Sequence, residues 1–190
     1  MTLPPIIGAV IPVVDYGIRK VCKRAYAGHP HGCPNWKRRS SCPPQAPSLH
    51  KIISLADPIY AIINAFPLKQ HMDLMQAKHP QWTDRQLRNP LYWQGTARKQ
   101  LKATIQQFLQ THPDYLVLRC PEACGVLLTK TVAPLGIALQ WPPQELSYQI
   151  VLGGRPLRGV AQRYPDFAMD NYWGNATEYG RLSTVTSIFF

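Results

Sequence analysis

The spacing of apolar and polar positions divides the chain into elements. Ile59–Phe66 is an apolar run without charge, which predicts a strand covered on both faces. Residues 67–79 place Leu68, His71, Met72 and Met75 at helical spacing, with Pro67 in the first turn and Pro80 beyond the end. Thr83 and Asp84 are N-cap residues for a short helix running to Asn89. A long helix follows Pro90, its apolar stripe formed by Leu91, Ala97, Leu101, Ile105, Phe108 and Leu109, with Arg98, Lys99 and Lys102 on the other face. It ends near His112-Pro113. Tyr115–Arg119 reads as a short strand, Val126–Leu135 as a helix, and Ile137–Trp141 and Gln149–Leu152 as two more strands. Gly153-Gly154 is a turn signal. At the other end, residues 3–14 are apolar but broken by three prolines, and an edge strand is expected around Ile11–Val14.

Strands alternating with helices give an α/β fold: one domain over residues 1–190, with a small mixed or parallel sheet and flanking helices. Within it, residues 16–50 form a cysteine loop, 51–152 the α/β core and 153–190 a C-terminal wrapping segment, whose Ile188-Phe189-Phe190 end is expected to dock.

The loop changes the picture most. Between Cys22 and Pro47 it carries Cys22, Cys33 and Cys42 and the prolines 30, 34, 43, 44 and 47. Proline fixes φ and removes a backbone donor, so neither an ordinary α-helix nor a central strand fits. The run 3–14 is too short to span a bilayer and lacks a preceding positive region, so a cytoplasmic, reducing compartment without membrane attachment is expected. Clustered cysteines there are metal ligands more often than disulfides.

Three loop thiolates need a fourth ligand, and Cys120 and Cys124 supply the candidates. Cys120, at a strand end beside Pro121, is preferred; Cys124 is the alternative. Four thiolates suit an iron–sulfur cluster, [4Fe-4S] first, with zinc as the alternative. Glu122 is the one acid beside this centre, and its position predicts a solvated glutamate at a helix start.

Charge adds a second reading. The chain carries a net +11, and between Tyr16 and Ala56 there are eight Lys and Arg residues and no acid. Such a field stabilises thiolates, and it also attracts nucleic acid or an acidic redox partner. Trp36, Lys37, Arg38 and Arg39, an aromatic beside three cations, are the candidate nucleic-acid or anion contacts. No phosphate-binding glycine loop, nucleophile elbow or zinc-protease helix is present, so no catalytic residue is assigned.

Gly32-Cys-Pro-Asn-Trp36 followed by Cys42-Pro-Pro-Gln-Ala-Pro47 resembles a family of cysteine-rich predicted metal-binding proteins of unknown function. Pro121-Glu-Ala-Cys-Gly-Val126 is similar to a second block of that family, in the same order. The likeness spans roughly residues 20–141. It implies a bound metal centre, iron–sulfur by expectation, on Cys22, Cys33, Cys42 and Cys120, and it implies no reaction. The family's further close cysteine cluster before the second block is missing here, where the helix ending TIQQFLQTHPDY stands.

Overall fold

The computed structural model describes residues 3–25, 30–40, 42–118, 120–139 and 144–163. Most of the expected wrapping segment and its apolar end lie outside the described residues.

Four strands form one sheet: β1 (Ile6–Val10), β2 (Ile59–Phe66), β3 (Leu116–Leu118) and β4 (Ser147–Gly154), in spatial order β1-β2-β4-β3. Every pairing is antiparallel, which corrects the expected mixed or parallel sheet. The reason lies in the order. β2 and β3 run parallel and are joined through helices, as an α/β unit requires, but β4 inserts between them and pairs with both. The mixed α/β single-domain class stands, with an interrupted crossover at its centre.

The helices are α1 (Leu68–Lys78), α2 (Asp84–Leu87), α3 (Gln94–Thr111), α4 (Leu128–Val132) and α5 (Val160–Arg163). Local chemistry sets several ends. Thr83 caps α2 with a reciprocal pair: its Oγ1 accepts from Gln86 N–H at 3.4 Å, and its own N–H donates to Gln86 Oε1 at 2.8 Å. Leu91 is 76% exposed in the turn before α3, so it drops out of the predicted stripe.

The sheet has two different faces. Tyr60, Ile62, Asn64 and Phe66 share one face with their β4 partners Gly153, Val151, Gln149 and Ser147. α3 covers this face. Phe66 stacks on Trp93 at 5.1 Å and Tyr60 meets Phe108 edge-on at 5.7 Å. The opposite face is covered by irregular chain. A side chain at Gly8 would strike Leu135, and one at Gly154 would strike Ile53. The layers are therefore helix, sheet, and a shell of turns that includes the cysteine loop and the 120–137 stretch. Leu49, Ile52 and Ile53, at the end of the loop and just after it, are essentially inaccessible and root it in the core. Ser54 N–H donates to Arg155 O and Leu157 N–H to Ile52 O, both at 2.9 Å, closing the shell. Arg155 then bridges Asp57 and Asp114 at 3.0 and 2.8 Å.

Three expectations move. The edge strand is β1, five residues earlier than Ile11–Val14, which holds only a single bridge between Val14 and Val126. Residues 137–139 are not a strand, and 140–141 lie outside the described residues. Gly153-Gly154 is the end of β4 and no turn. Among the described residues no helix is long and apolar enough to cross a membrane.

Candidate metal centre

The loop begins as a 3-10 helix, Tyr16–Lys23, capped by Asp15, whose side chain accepts from Gly17 N–H at 2.8 Å. Ile18 and Val21 point inward. Cys22 sits in the last turn beside Lys20 and Lys23. The chain returns at Gly32, and Cys33 N–H donates to Cys22 O at 2.8 Å. Trp36 N–H then bonds Cys33 O at 3.0 Å, Cys42 N–H bonds Arg39 O at 3.0 Å, and Ala46 N–H bonds Cys42 O at 2.9 Å. Arg19 locks this second half to the helix by donating from Nη2 to Pro44 O at 2.9 Å and Ala46 O at 2.6 Å. The loop is thus a hydrogen-bonded unit with Cys22, Cys33 and Cys42 on its frame.

A second set of bonds seats that unit on the 120–127 turn. Asp15 N–H donates to Gly125 O and Leu127 N–H to Val13 O, both at 2.8 Å. Val13 N–H donates to Thr131 Oγ1 at 3.0 Å. Tyr16 lies against Gly125, which adopts φ +92°, and a Cβ there would approach Tyr16 Cδ1 to 2.6 Å. Tyr16 Oη pairs with His50 Nδ1 at 2.7 Å, joining the start of the loop to its end. Neither Tyr16 nor Arg19 is marked by a sequence motif.

The turn itself is a 3-10 helix, Pro121–Cys124, with Cys120 just before it. At three residues per turn, Cys120 and Cys124 do not share a face as an α-helix would have them. Their surroundings separate them. Cys22 is pushed up to about 12, first by burial and then by the neighbouring Cys33, Cys42 and Glu122 charges. Cys120 lies well above the ordinary thiol range because of burial, then Glu122, with Cys124 and Cys22 adding to it. Cys124 is also pushed up to about 12 by burial, but its charged neighbours are Arg19 and Glu122, and no loop thiol is among them. Of the two late cysteines, only Cys120 has a loop thiol, Cys22, among its charged neighbours, and Cys22 acts on it least of them.

Glu122 departs from its expected solvated position. It is 2% exposed, and burial holds its carboxyl well above the usual carboxylate range. Cys120 Sγ lies 4.0 Å from Glu122 Oε2, at the limit of a thiol hydrogen bond, and Oε1 is buried without a partner. The only local hint was its place between two cysteines after a proline.

None of the five cysteines is in a disulfide. Among the described residues no three His, Cys, Asp or Glu side chains stand close enough to enclose an ion. His31 is exposed, and His29 lies outside the described residues.

The basic segments meet beside the thiols. Lys23 Nζ lies 5.8 Å from the centre of the Trp36 ring, a cation–π contact that joins the 3-10 helix to the Trp36 turn. Lys37, Arg38 and Arg39 are exposed next to it.

The buried thiols dictate an alkaline response. In the metal-free chain, Cys124 stays protonated up to about 12, whereas in the unfolded chain it ionises near an ordinary thiol value. Below about pH 8.5 both states hold the proton and the contribution is complete. Above that the unfolded state releases its proton first, so stability falls as pH rises toward the folded value. Thermal melts of the metal-free protein from pH 8 to 11 are expected to fall more steeply for the wild type than for Cys124→Ala. Parallel curves would show that Cys124 is not sequestered as described.

Comparison of the chain with protein-family models, with curated proteins and with solved structures finds no match. The family resemblance rests on its two motifs alone.

Proposed function

We propose that the protein binds metal, holding one [4Fe-4S] cluster through Cys22, Cys33, Cys42 and Cys120 in a redox or cluster-supported role, with zinc on the same thiols as the alternative. The observation that supports this is the seating of the loop, whose frame carries Cys22, Cys33 and Cys42, on the turn that carries Cys120: the Tyr16–Lys23 helix packs against Pro121–Cys124, and Asp15 N–H donates to Gly125 O at 2.8 Å. The donor set suits the cofactor, since thiolates hold iron–sulfur clusters and structural zinc alike. The surrounding Arg19, Lys20, Lys23 and Arg24 offset the negative charge of such a centre. A cytoplasmic, reducing setting keeps five thiols available.

Anaerobic purification with iron, sulfide and zinc analysis tests it. About four irons and four sulfides per chain are expected for the cluster. Serine at 22, 33, 42 or 120 should abolish retention, and Cys124→Ser should keep it. A colourless protein with about one zinc selects the alternative. Protein that retains neither metal overturns the proposal.

A second reading, a nucleic-acid-binding or nucleic-acid-modification accessory protein with a structural metal, is favoured by the Lys23–Trp36 contact, which merges two basic segments into one surface. Binding to single-stranded nucleic acid would then weaken steeply with salt, and charge reversal at Lys37, Arg38 and Arg39 would remove it. An absence of binding at low salt rejects this reading.

A further inference from the structure

We propose that Glu122 is itself a ligand: one oxygen of its carboxylate and Cys120 Sγ bind the same metal ion, so the centre has a mixed sulfur–oxygen end. This rests on the metal-binding reading above and adds a donor to it.

Two observations carry it. The first is an unmet acceptor. Glu122 is almost wholly buried, yet Oε1 has no hydrogen-bond partner. Native proteins rarely leave a buried carboxyl oxygen unpaired, and a missing cation is one of the few explanations. The alternative use, packing an inert acid under the loop, costs desolvation and returns nothing, because an apolar side chain would fill the same space.

The second is distance. Metal–sulfur bonds of about 2.3 Å and metal–oxygen bonds of about 2.1 Å bridge the 4.0 Å between Cys120 Sγ and Glu122 Oε2 at a ligand–metal–ligand angle of roughly 130°. That is wide for a tetrahedral ion and closes with a small side-chain rotation. The geometry of the turn supports the pairing. Proline at 121 and the 3-10 bonds Ala123 N–H to Cys120 O at 3.0 Å and Gly125 N–H to Glu122 O at 2.9 Å fix the backbone that carries both donors. The Tyr16–Lys23 helix, which carries Cys22, packs against this same turn.

The ligand class is a divalent ion of borderline character, which accepts thiolate and carboxylate together. Zinc satisfies this directly.

Co2+ titrated anaerobically into the metal-free full chain provides the test, because sulfur-to-cobalt absorption reports thiolates and the visible d–d bands report the whole ligand set. Wild type is expected to bind Co2+ with both signatures. Glu122→Gln should bind about tenfold to a hundredfold more weakly, with shifted d–d bands but unchanged sulfur-to-cobalt intensity per bound ion. Cys120→Ser should lose part of that intensity. Glu122→Asp, which keeps the charge one methylene further back, should fall between wild type and Gln. Melting curves without metal establish that each variant is folded. Equal affinity and equal d–d bands in wild type and Glu122→Gln overturn the proposal and leave the thiol site standing. Iron uptake without cobalt uptake also overturns it, since no shared mononuclear position then exists. Uptake of neither metal removes the metal-binding reading itself.

Discussion

Gly32→Ala is expected to destabilise the protein by about 2–4 kcal/mol and to abolish retention of the proposed metal centre. Gly32 adopts φ +84°, where a side chain is strained in any surroundings. Its surroundings make matters worse. A Cβ at this position would lie 2.6 Å from Cys22 O, 2.8 Å from Lys23 C and 2.9 Å from Lys23 O. All three are backbone atoms, so no rotamer change relieves the contact. The next residue, Cys33, donates its N–H to the same Cys22 oxygen. Adding one methyl group therefore separates the two strands of the loop that bring Cys22 and Cys33 together. Gly95→Ala is the control. Gly95 lies within α3 with open space around it, and alanine there is expected to stabilise by up to about 1 kcal/mol. Thermal unfolding and metal content measured side by side would decide. A Gly32→Ala protein as stable and as metal-loaded as wild type would show that the loop does not need this close approach.

That prediction also marks where sequence reasoning works and where it stops. β2 was legible to the residue, because an eight-residue apolar run has one sensible fate in a small domain. The α2 cap was legible because Thr83 and the residues after it act locally. β1 was displaced because 3–14 is apolar on both faces, so the pattern cannot specify register, and the pairing Ile6 with Ile63 is decided by β2. Gly153-Gly154 looked like a turn because its reason lies elsewhere in the chain. Phe108 and Ile53 occupy the space that side chains would need.

The site divides in the same way. The clustering of three cysteines on one proline-rich loop could be read from the sequence. What the sequence did not show is that the turn is a 3-10 helix, which separates two cysteines that an α-helix would align. Glu122 was misread as solvated because burial of an acid is a tertiary property. Nothing in Pro-Glu-Ala-Cys says that the Tyr16–Lys23 helix closes over it. Lys37, Arg38 and Arg39 are exposed, and the contact of Lys23 with Trp36 needed only that the loop fold back on itself.

Phe108→Ala is expected to cost about 3–5 kcal/mol, close to the whole stability of many small domains. Phe108 is 3% exposed on the inner face of α3. Its ring stacks on His112 at 4.3 Å and meets Tyr60 at 5.7 Å and Tyr115 at 5.8 Å. It also fills the space over Gly153, where a Cβ would come within 2.9 Å of the ring. Removing it leaves a cavity between helix and sheet and breaks three aromatic contacts at once. Gly153→Ala alone overpacks the same place and should cost about 1–3 kcal/mol. The double variant is expected to cost clearly less than the two added together, because the new methyl group enters the space that the ring has left. Urea unfolding of the four proteins measures this coupling. Additivity to within about 0.5 kcal/mol would mean that Phe108 and Gly153 do not share the space as described. Since α3 covers the face of the sheet opposite the shell of turns, any Phe108→Ala protein that still folds should keep the proposed centre, and loss of metal from a folded variant would mean that the two faces are not independent.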